Sequence, residues 1–305
     1  MKTLIILLTL IVVLTEFSES QTARGEGKPG PLIQPIVDVD NSIPKGKLPE
    51  EDNFSRDAVA VVIGISHYKN EPTVPSVDYA TRDANVMKRY LIEMFGYQEQ
   101  RIIVAEDANA SLADFKRIFE EQLVNFVHTK RSDVFVYYSG HGAPDVETKD
   151  AYFVPYDCNP NYAKSTGYRL KEFYERLARL DARSVTVVID ACFSGGSERG
   201  SIIKDVSPVG IEVENPVAAL ENGIVFTASK SQQLSNWYRE KRHGLFTYFF
   251  LRGLRGDADS NKDKEITAEE MEGYLIAHVP EVARSRNREQ IPEVAGNKKR
   301  VLVKF

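Results

Sequence analysis

The chain has little cysteine and no excess of positive charge. Only two of its 305 residues are cysteines, which excludes a small scaffold held together by several disulfides. Lysine and arginine number 39 against 44 aspartates and glutamates, so the formal net charge is -5. This balance provides no general basic surface for a phosphate backbone, and nucleic acid is not an expected partner. The composition, with 42% hydrophobic and 27% charged residues, is that of an ordinary globular protein.

Long hydrophobic runs are also scarce, and the most prominent one is at the N-terminus. Lys2 precedes an apolar stretch at residues 3–15, and small residues follow at Ser18 and Ser20. This order is typical of a secretory signal peptide, which we assign to residues 1–20. The stretch is shorter than the roughly 18 to 20 residues that cross a membrane, although a retained N-terminal anchor is the alternative. We therefore expect a secreted or periplasmic protein with no membrane association after removal of the signal.

Periodicity is missing from the segment that follows. Residues 21–54 contain five prolines and four glycines, without the spacing of a helix or a strand. Such a composition is typical of a flexible N-terminal segment or a propeptide. The remaining residues, 55–305, are enough for a single α/β domain.

In that domain, apolar runs alternate with helical patterns. Five runs rich in β-branched or aromatic residues predict buried strands. They occupy residues 58–66, 101–105, 133–139, 184–191 and 223–229. Segments with apolar residues at helical spacing separate them, and Ser111 is placed to cap one of these helices. This alternation predicts an α/β fold, a three-layer αβα sandwich with a mainly parallel sheet.

Two of the predicted strands end at residues with catalytic potential. The third strand leads into His141, which has a glycine on each side, and the fourth leads into Cys192. Ligands collect outside the carboxyl ends of parallel strands, so both side chains are expected at the same edge of the sheet. A thiolate attacks carbonyl carbon, and a histidine can take the thiol proton and deliver it to the leaving amine. The N–H groups of Gly142 and Cys192 are candidate donors to the oxyanion.

Simpler interpretations exist for the same residues. A lone histidine or cysteine at a strand end is more often a packed structural residue, and Cys158 and Cys192 of an exported protein could form a disulfide. The occurrence of both His141 and Cys192 at equivalent strand ends favours catalysis. We expect Cys158 to be a free structural thiol, because it has no general base or glycine-rich setting beside it.

The two strand-end strings resemble the catalytic motifs of caspase-like cysteine peptidases, in particular the metacaspase-like branch. They are YYSGHG at residues 137–142 and VVIDACFSGG at residues 187–196. His141 and Cys192 are 51 residues apart, similar to the spacing in caspases. The resemblance extends over roughly residues 56–278. It implies the caspase–hemoglobinase fold and hydrolysis of peptide or protein substrates by a Cys–His dyad, with no cofactor required.

The resemblance also implies a substrate preference. In the family, the residue two positions before the nucleophile lines the primary specificity pocket, and metacaspases carry aspartate there and accept arginine or lysine. This chain has Asp190 at that position, so we expect cleavage after Arg or Lys, with Arg favoured by its bidentate geometry. The alternative is that Asp190 only accepts hydrogen bonds from loop N–H groups. Further substrate-binding candidates are Asp78, Ser235 and Trp237, although a lone Trp is as often a core residue.

A calcium-binding pattern lies nearer the C-terminus. Residues 259–270 match the spacing of an EF-hand loop between two predicted helices. Lys264 occupies the position where such loops carry glycine, so a polar connector is the alternative to a calcium site. The candidate ligands are Asp259, Asn261, Asp263, Glu265 and Glu270.

These observations favour a caspase-like cysteine endopeptidase. The alternative is a catalytically silent caspase-like domain that acts as a peptide- or calcium-binding adaptor, although the presence of both dyad residues argues against it. A dinucleotide-binding protein is disfavoured because no G-x-G-x-x-G turn follows the first strand. The polar segment after Cys192 contains Arg199 and Lys204, where a peptidase with basic specificity could process itself.

Overall fold

A central sheet with helices on both faces organises the chain. The computed structural model describes residues 39–46, 54–71, 73–145, 147–197, 200–202, 220, 222–230, 233 and 235–305. In chain order the strands are β1 Val59–Gly64, β2 Ile102–Glu106, β3 Asp133–Ser139, β4 Gly142–Pro144, β5 Ala151–Phe153, β6 Tyr168–Arg169, β7 Ser184–Asp190, β8 Gly196–Ser197, β9 Gly200–Ser201, β10 Gly223–Thr227, β11 Trp237–Tyr238, β12 His243–Gly244, β13 Glu265–Thr267, β14 Glu293–Gly296 and β15 Val301–Lys304.

The large sheet has the strand order β14-β10-β7-β3-β1-β2. Neighbouring strands are parallel from β2 to β10, and β14 pairs antiparallel with β10 at one edge. In the register of the two central strands, Ser139 at the end of β3 pairs with Asp190 at the end of β7. The loops that follow these two strands therefore begin side by side.

The helices include short irregular segments. They are α1 Phe54–Asp57, α2 Ala80–Glu93, α3 Leu112–Lys116, α4 Leu123–Phe126, α5 Ala163–Thr166, α6 Leu170–Ala178, α7 Leu245–Arg252 and α8 Ala268–Ser285, with 3₁₀ turns at Glu99–Arg101, Asp107–Asn109 and Pro160–Tyr162 and π-helical segments at Arg117–Gln122 and Gly253–Asp257. In the part of the chain that is described, none of the helices has the length and apolar character needed to cross a membrane.

Side chains that alternate along the strands build two cores. In β1, Val59 and Val61 face one core, while Ala60 and Val62 face the other. Helices α3, α4 and α6 cover the first face, and α2, α7 and α8 cover the second. Because both faces are buried, the strands are continuous apolar runs. The predicted three-layer αβα arrangement is confirmed.

The local predictions agree with the structure at most element ends. The five predicted strands are β1, β2, β3, β7 and β10, and their ends differ from the predicted ones by two residues at most. Ser111 caps α3 as predicted, because its hydroxyl accepts the Asp114 N–H at 3.2 Å and its own N–H donates to the Asp114 carboxylate at 3.1 Å. β14 is not among the predicted strands, since it is short and none of its residues is fully buried.

Residues 39–46 differ from the prediction that residues 21–54 are flexible. Val39 is fully buried, and its carbonyl oxygen accepts a hydrogen bond from the Tyr90 hydroxyl at 2.8 Å. Contacts with distant residues therefore fix a stretch whose own composition predicts no structure. The predicted signal peptide, residues 1–20, lies outside the described residues.

Candidate active site

His141 lies just beyond the last residue of β3. Its ring is buried, and its Nε2 atom is 2.7 Å from the carbonyl oxygen of Pro75. Because a carbonyl only accepts, Nε2 donates this hydrogen bond and Nδ1 keeps a lone pair in the neutral ring. Burial lowers the pKa of His141 to about 4, against the opposing effect of the Pro75 carbonyl. The imidazole is therefore neutral at pH 7 and can accept a proton at Nδ1.

Hydrogen bonds to the main chain fix the position of His141. Its N–H donates to the Tyr68 hydroxyl at 2.8 Å. Its carbonyl oxygen accepts from the Tyr138 hydroxyl at 2.6 Å and from the Val154 N–H at 3.1 Å. The strand-end loop is thus held by Tyr68 and Val154, from two other parts of the sequence, and by Tyr138 of β3 itself.

Cys192 follows two residues after the end of β7. The thiol is buried, accepts a hydrogen bond from the Ser235 N–H, and lies 3.9 Å from the Ser229 hydroxyl oxygen. Burial raises the pKa of Cys192 to about 11, although the hydrogen bonds from Ser235 and Ser229 oppose this effect. The thiol is therefore protonated at neutral pH, and it needs a base before it can attack a substrate.

The loops that carry His141 and Cys192 are in direct contact at Gly142. A Cβ atom on Gly142 would lie 2.5 Å from Cδ1 of Phe193 and 2.8 Å from the carbonyl oxygen of Cys192. A side chain at this position would therefore push the two loops apart.

Pairing between β4 and β5 determines the direction of the Gly142 N–H. Gly142 is opposite Phe153, and the adjacent bond runs from the Val154 N–H to the His141 carbonyl. In an antiparallel ladder this arrangement makes Gly142 and Phe153 a non-hydrogen-bonded pair. The N–H of Gly142 consequently points away from β5.

One narrow cleft brings the predicted residues together at the carboxyl ends of β3 and β7. Its volume is about 30 Å³. Both dyad candidates and all four predicted substrate-binding residues lie on its wall. The described lining consists of Val77, Asp78, Asp83, Ser139, Gly140, His141, Asp190, Cys192, Ser235, Asn236, Trp237 and Gly244.

Asp190 is a buried carboxylate on this wall. One oxygen accepts hydrogen bonds from the Thr247 hydroxyl at 2.7 Å and from the Thr247 N–H at 3.3 Å. Burial raises the pKa of Asp190 to about 7, and the negative charge of Asp83 adds to this, while the bonds from Thr247 act in the opposite direction. Asp190 therefore anchors the first turn of α7. Its carboxyl group also lines the cleft, and the hydrogen bonds from Thr247 offset only part of the cost of burying its charge.

Asp83 is a second buried acid of the cleft, and the sequence interpretation missed it. It lies on α2, is 1% exposed, and accepts a hydrogen bond from the Gly244 N–H at 2.8 Å. A signal for it exists in the sequence, because Asp83 interrupts the apolar face formed by Ala80, Ala84 and Met87. A charged residue within such a face predicts a buried polar contact.

Asp78, Trp237 and Arg239 form a group at the rim of the cleft. An oxygen of Asp78 lies 3.5 Å from a guanidinium nitrogen of Arg239, and the guanidinium carbon lies 5.0 Å from the centre of the Trp237 ring. Asp78 is thus paired with a cation of the protein itself. Trp237 is buried, as a core residue would be, and still forms part of the wall.

The predicted calcium ligands lie on an exposed loop away from this cleft. Lys264 has a φ of 69°, the left-handed conformation that glycine adopts at this loop position. The Asp259 carboxylate accepts the N–H groups of Lys262 at 2.7 Å and Lys264 at 3.1 Å, and the Glu270 carboxylate accepts the Thr267 N–H at 3.0 Å. Within the described ranges, no three acidic, histidine or cysteine side chains are grouped to hold a metal ion. The loop has the EF-hand turn, while N–H groups of its own backbone engage its carboxylates.

The two cysteines are free thiols, as predicted for Cys158. Cys158 is fully buried, and its sulfur lies 3.3 Å from the Thr166 hydroxyl oxygen. Burial raises the pKa of Cys158 to about 11, and the contact with Thr166 opposes the shift only in part. This thiol belongs to the core and not to the cleft.

Comparisons with known proteins give a family and a fold for this chain. The family model of the caspase domain matches residues 57–302 of this chain. The fold is similar to that of caspase-1 from Spodoptera frugiperda, with a TM-score of 0.55, 13% identity, and coverage of 84% of this chain and 95% of that chain. It is also similar to a protein from Geobacter sulfurreducens, with a TM-score of 0.53, 15% identity, and coverage of 79% of this chain and 94% of that chain. No curated protein matches the sequence.

The two structural matches have low identity and establish the fold alone, which is caspase-like as predicted. The family model extends over most of the chain and includes both strand-end loops of the cleft. Proteins of this kind are cysteine peptidases that act on protein substrates. The chain therefore belongs to the caspase-domain family.

Proposed function

We propose that this protein is a cysteine endopeptidase that cleaves peptide bonds after Arg or Lys by means of a His141–Cys192 dyad. The observation that carries the proposal is the shared cleft, in which a thiol, an imidazole and two buried carboxylates face the same space. Reaction chemistry and substrate selection are then parts of one site.

The protonation states support a general-base mechanism. His141 is neutral because its pKa is lowered to about 4, and Cys192 is a thiol because its pKa is raised to about 11. A stable thiolate–imidazolium pair is disfavoured by this difference, so the proton moves from sulfur to Nδ1 as the sulfur attacks the carbonyl carbon. The imidazolium then protonates the departing amine, and water hydrolyses the thioester.

The N–H groups of Gly142 and Cys192 are proposed to bind the oxyanion. Gly142 contacts the Cys192 carbonyl region and directs its N–H away from the β4–β5 ladder, which supports this role. Loss of one such donor typically lowers the rate by about 10² to 10³-fold.

Asp190 and Asp83 support the preference for a basic side chain. Both are buried at the cleft, and the negative charge of Asp83 raises the free energy of ionising Asp190. A guanidinium or ammonium group would remove this repulsion, whereas an acidic side chain would increase it. Arg is preferred to Lys because its planar group can contact both carboxylates at once.

Peptide cleavage tests the proposal directly. We expect wild-type protein to cleave a positional library of fluorogenic peptides after Arg or Lys, and Cys192→Ala to leave every peptide intact. The assay is run with calcium and with chelator. Cleavage after Asp would overturn the proposed specificity. Turnover that persists in Cys192→Ala would overturn the dyad, and the lack of any cleavage would favour the silent adaptor.

Export and self-processing belong to the same proposal and rest on sequence alone. The signal peptide at residues 1–20 and the basic residues Arg199 and Lys204 lie outside the described residues. Mass spectrometry of the purified wild type and of Cys192→Ala tests self-processing. Equal, intact masses for the two proteins would refute it.

A further inference from the structure

A buried histidine next to the cleft lies between two carboxylates. His243 on β12 is 0% exposed, its Nδ1 atom contacts the Asp83 carboxylate, and its Nε2 atom lies 3.1 Å from an oxygen of Asp40. The next residue, Gly244, donates its N–H to the second oxygen of Asp83 at 2.8 Å. Asp83 is therefore held through both of its oxygens.

Asp40 comes from the N-terminal stretch of residues 39–46, far away in sequence from the other two residues. Its carboxylate also pairs with Arg82, and its carbonyl oxygen accepts a hydrogen bond from Arg89 at 2.9 Å. The preceding Val39 is fully buried. These contacts fix the Asp40 carboxylate against His243.

The other end of this chain of contacts reaches the specificity pocket. A Cβ atom on Gly244 would clash with the Asp190 carboxylate and would lie 3.2 Å from the Asp83 carboxylate. The carboxylates of both acids thus lie close to the same position on Gly244. A change in the charge of His243 therefore changes the protonation of Asp83 directly. Because the charge of Asp83 disfavours ionisation of Asp190, the protonation of Asp190 changes as well.

We propose that Asp40 is a positioning residue for substrate specificity: it keeps His243 protonated, and His243 keeps the Asp83–Asp190 pair charged for a basic substrate side chain. This role rests on the proposed function and extends it to the N-terminal segment. Asp40 itself lies outside the cleft lining and acts through His243.

Electrostatics around His243 favour the protonated ring. Burial disfavours the imidazolium, but the hydrogen bond and charge of Asp83, followed by the charge of Asp40, raise the pKa of His243. Burial also raises the pKa of Asp83, and the contact with His243 opposes this. The charged or titratable groups that face His243 from the surrounding elements are Asp83 and Arg82 on α2, Asp40 on the N-terminal stretch, Asp190 beyond Gly244, and Tyr248 on α7.

Removal of the Asp40 charge should make His243 less basic. In Asp40→Asn the imidazolium loses one of its two carboxylates, while Arg82 still opposes its charge. His243 then releases its proton at lower pH, and the acids of the cleft retain theirs to higher pH. Binding of a basic side chain should therefore require a higher pH, while an uncharged side chain should be unaffected.

Two peptides identical except for Arg or citrulline before the cleaved bond isolate this effect. The ratio of their kcat/KM values is measured against pH, so that titration of His141 and Cys192 cancels. In the wild type the Arg/citrulline ratio should increase with pH as the acids of the cleft lose their protons. We expect this increase to occur about one pH unit higher in Asp40→Asn, so that the ratio at lower pH is about tenfold smaller than in the wild type. Asp181→Asn, a change at an exposed aspartate, is the matched control and should follow the wild type.

A second measurement does not depend on activity. ¹⁵N NMR of histidine side chains across a pH series is expected to show that the His243 imidazolium loses its proton at lower pH in Asp40→Asn than in the wild type. An unchanged ratio profile, an equal loss of turnover for both peptides, or a His243 titration that is the same in Asp40→Asn as in the wild type would each overturn the role of Asp40. Lack of cleavage of both peptides by the wild type would refute the proposed function, and the NMR result would still decide whether Asp40 controls His243.

Discussion

The two ends of the large sheet differ in how they use polar residues. At the amino ends of β3 and β7, Arg183 pairs with Asp133, and Arg300 donates to the Ser184 hydroxyl and the Val185 carbonyl. At the carboxyl ends, polar groups of the same strands face a cleft.

Cavity size does not identify the reactive end. The amino end has the larger cavity, about 270 Å³, against about 30 Å³ at the carboxyl end. None of the described residues that line the larger cavity is a cysteine or a histidine. Burial shifts pKa values at both ends, since it raises the pKa of Tyr97 and lowers the pKa of Arg300 at the amino end. The shifted groups at the carboxyl end are instead a thiol, an imidazole and a carboxyl group that share one cleft, which is typical of functional sites.

Removal of the nucleophile at the carboxyl end of the sheet should have the largest effect on activity. Cys192→Ala is expected to lower kcat/KM by about 10⁴-fold or more, because no other group of the cleft can form the thioester. Fluorogenic peptide hydrolysis measures the rate, and thermal unfolding should show an intact fold. Cys158→Ala is the control and should retain activity. Equal loss of activity in the two folded variants would contradict the distinction between the thiols.

Neutralising Asp190 should separate activity from stability. Asp190→Asn is expected to reduce kcat/KM for Arg peptides about 100-fold, since one carboxylate of the pocket is lost. Because folding raises the pKa of Asp190 from 3.8 to about 7, the proton is held more tightly in the folded state. Its contribution to stability is present below pH 4 and is lost as the pH rises to 7.

Asp190→Asn should therefore gain stability relative to the wild type at pH 8 but not at pH 4. Chemical denaturation at both pH values measures this difference. A loss of stability at pH 8 would show that the bonds from Thr247 outweigh the cost of burying the charge.

At the opposite end of the sheet, a charge removal should act on stability alone. Asp133 is buried and bonded to Arg183 and to the Ser184 hydroxyl. Asp133→Asn removes the buried charge that pairs with Arg183 and is expected to cost about 3 kcal/mol in the free energy of unfolding. Denaturant titration measures this cost. A fall in kcat/KM of the folded variant beyond tenfold would show that the two ends are coupled.

Sequence patterns anticipate the part of the site that is encoded locally. Apolar runs define β3 and β7, and His141 and Cys192 follow them directly, so their meeting at one edge follows from parallel pairing. Asp83 and Asp40 are different, because their roles depend on His243, which is 160 residues from Asp83 and lies on a two-residue strand. No periodicity connects these positions, and only tertiary contacts bring them together.

The smallest effect is expected at the loop of residues 259–270. The wild-type loop has the left-handed turn of an EF-hand at Lys264, but a lysine there strains the backbone and adds a positive charge. Lys264→Gly relieves both effects and should increase calcium affinity about tenfold. Isothermal titration calorimetry measures the affinity, and Asp259→Asn in the same background should abolish the gain. If neither the wild type nor Lys264→Gly bound calcium, the loop would be a polar connector. The proposed function would then involve the carboxylates of the cleft and not those of the loop.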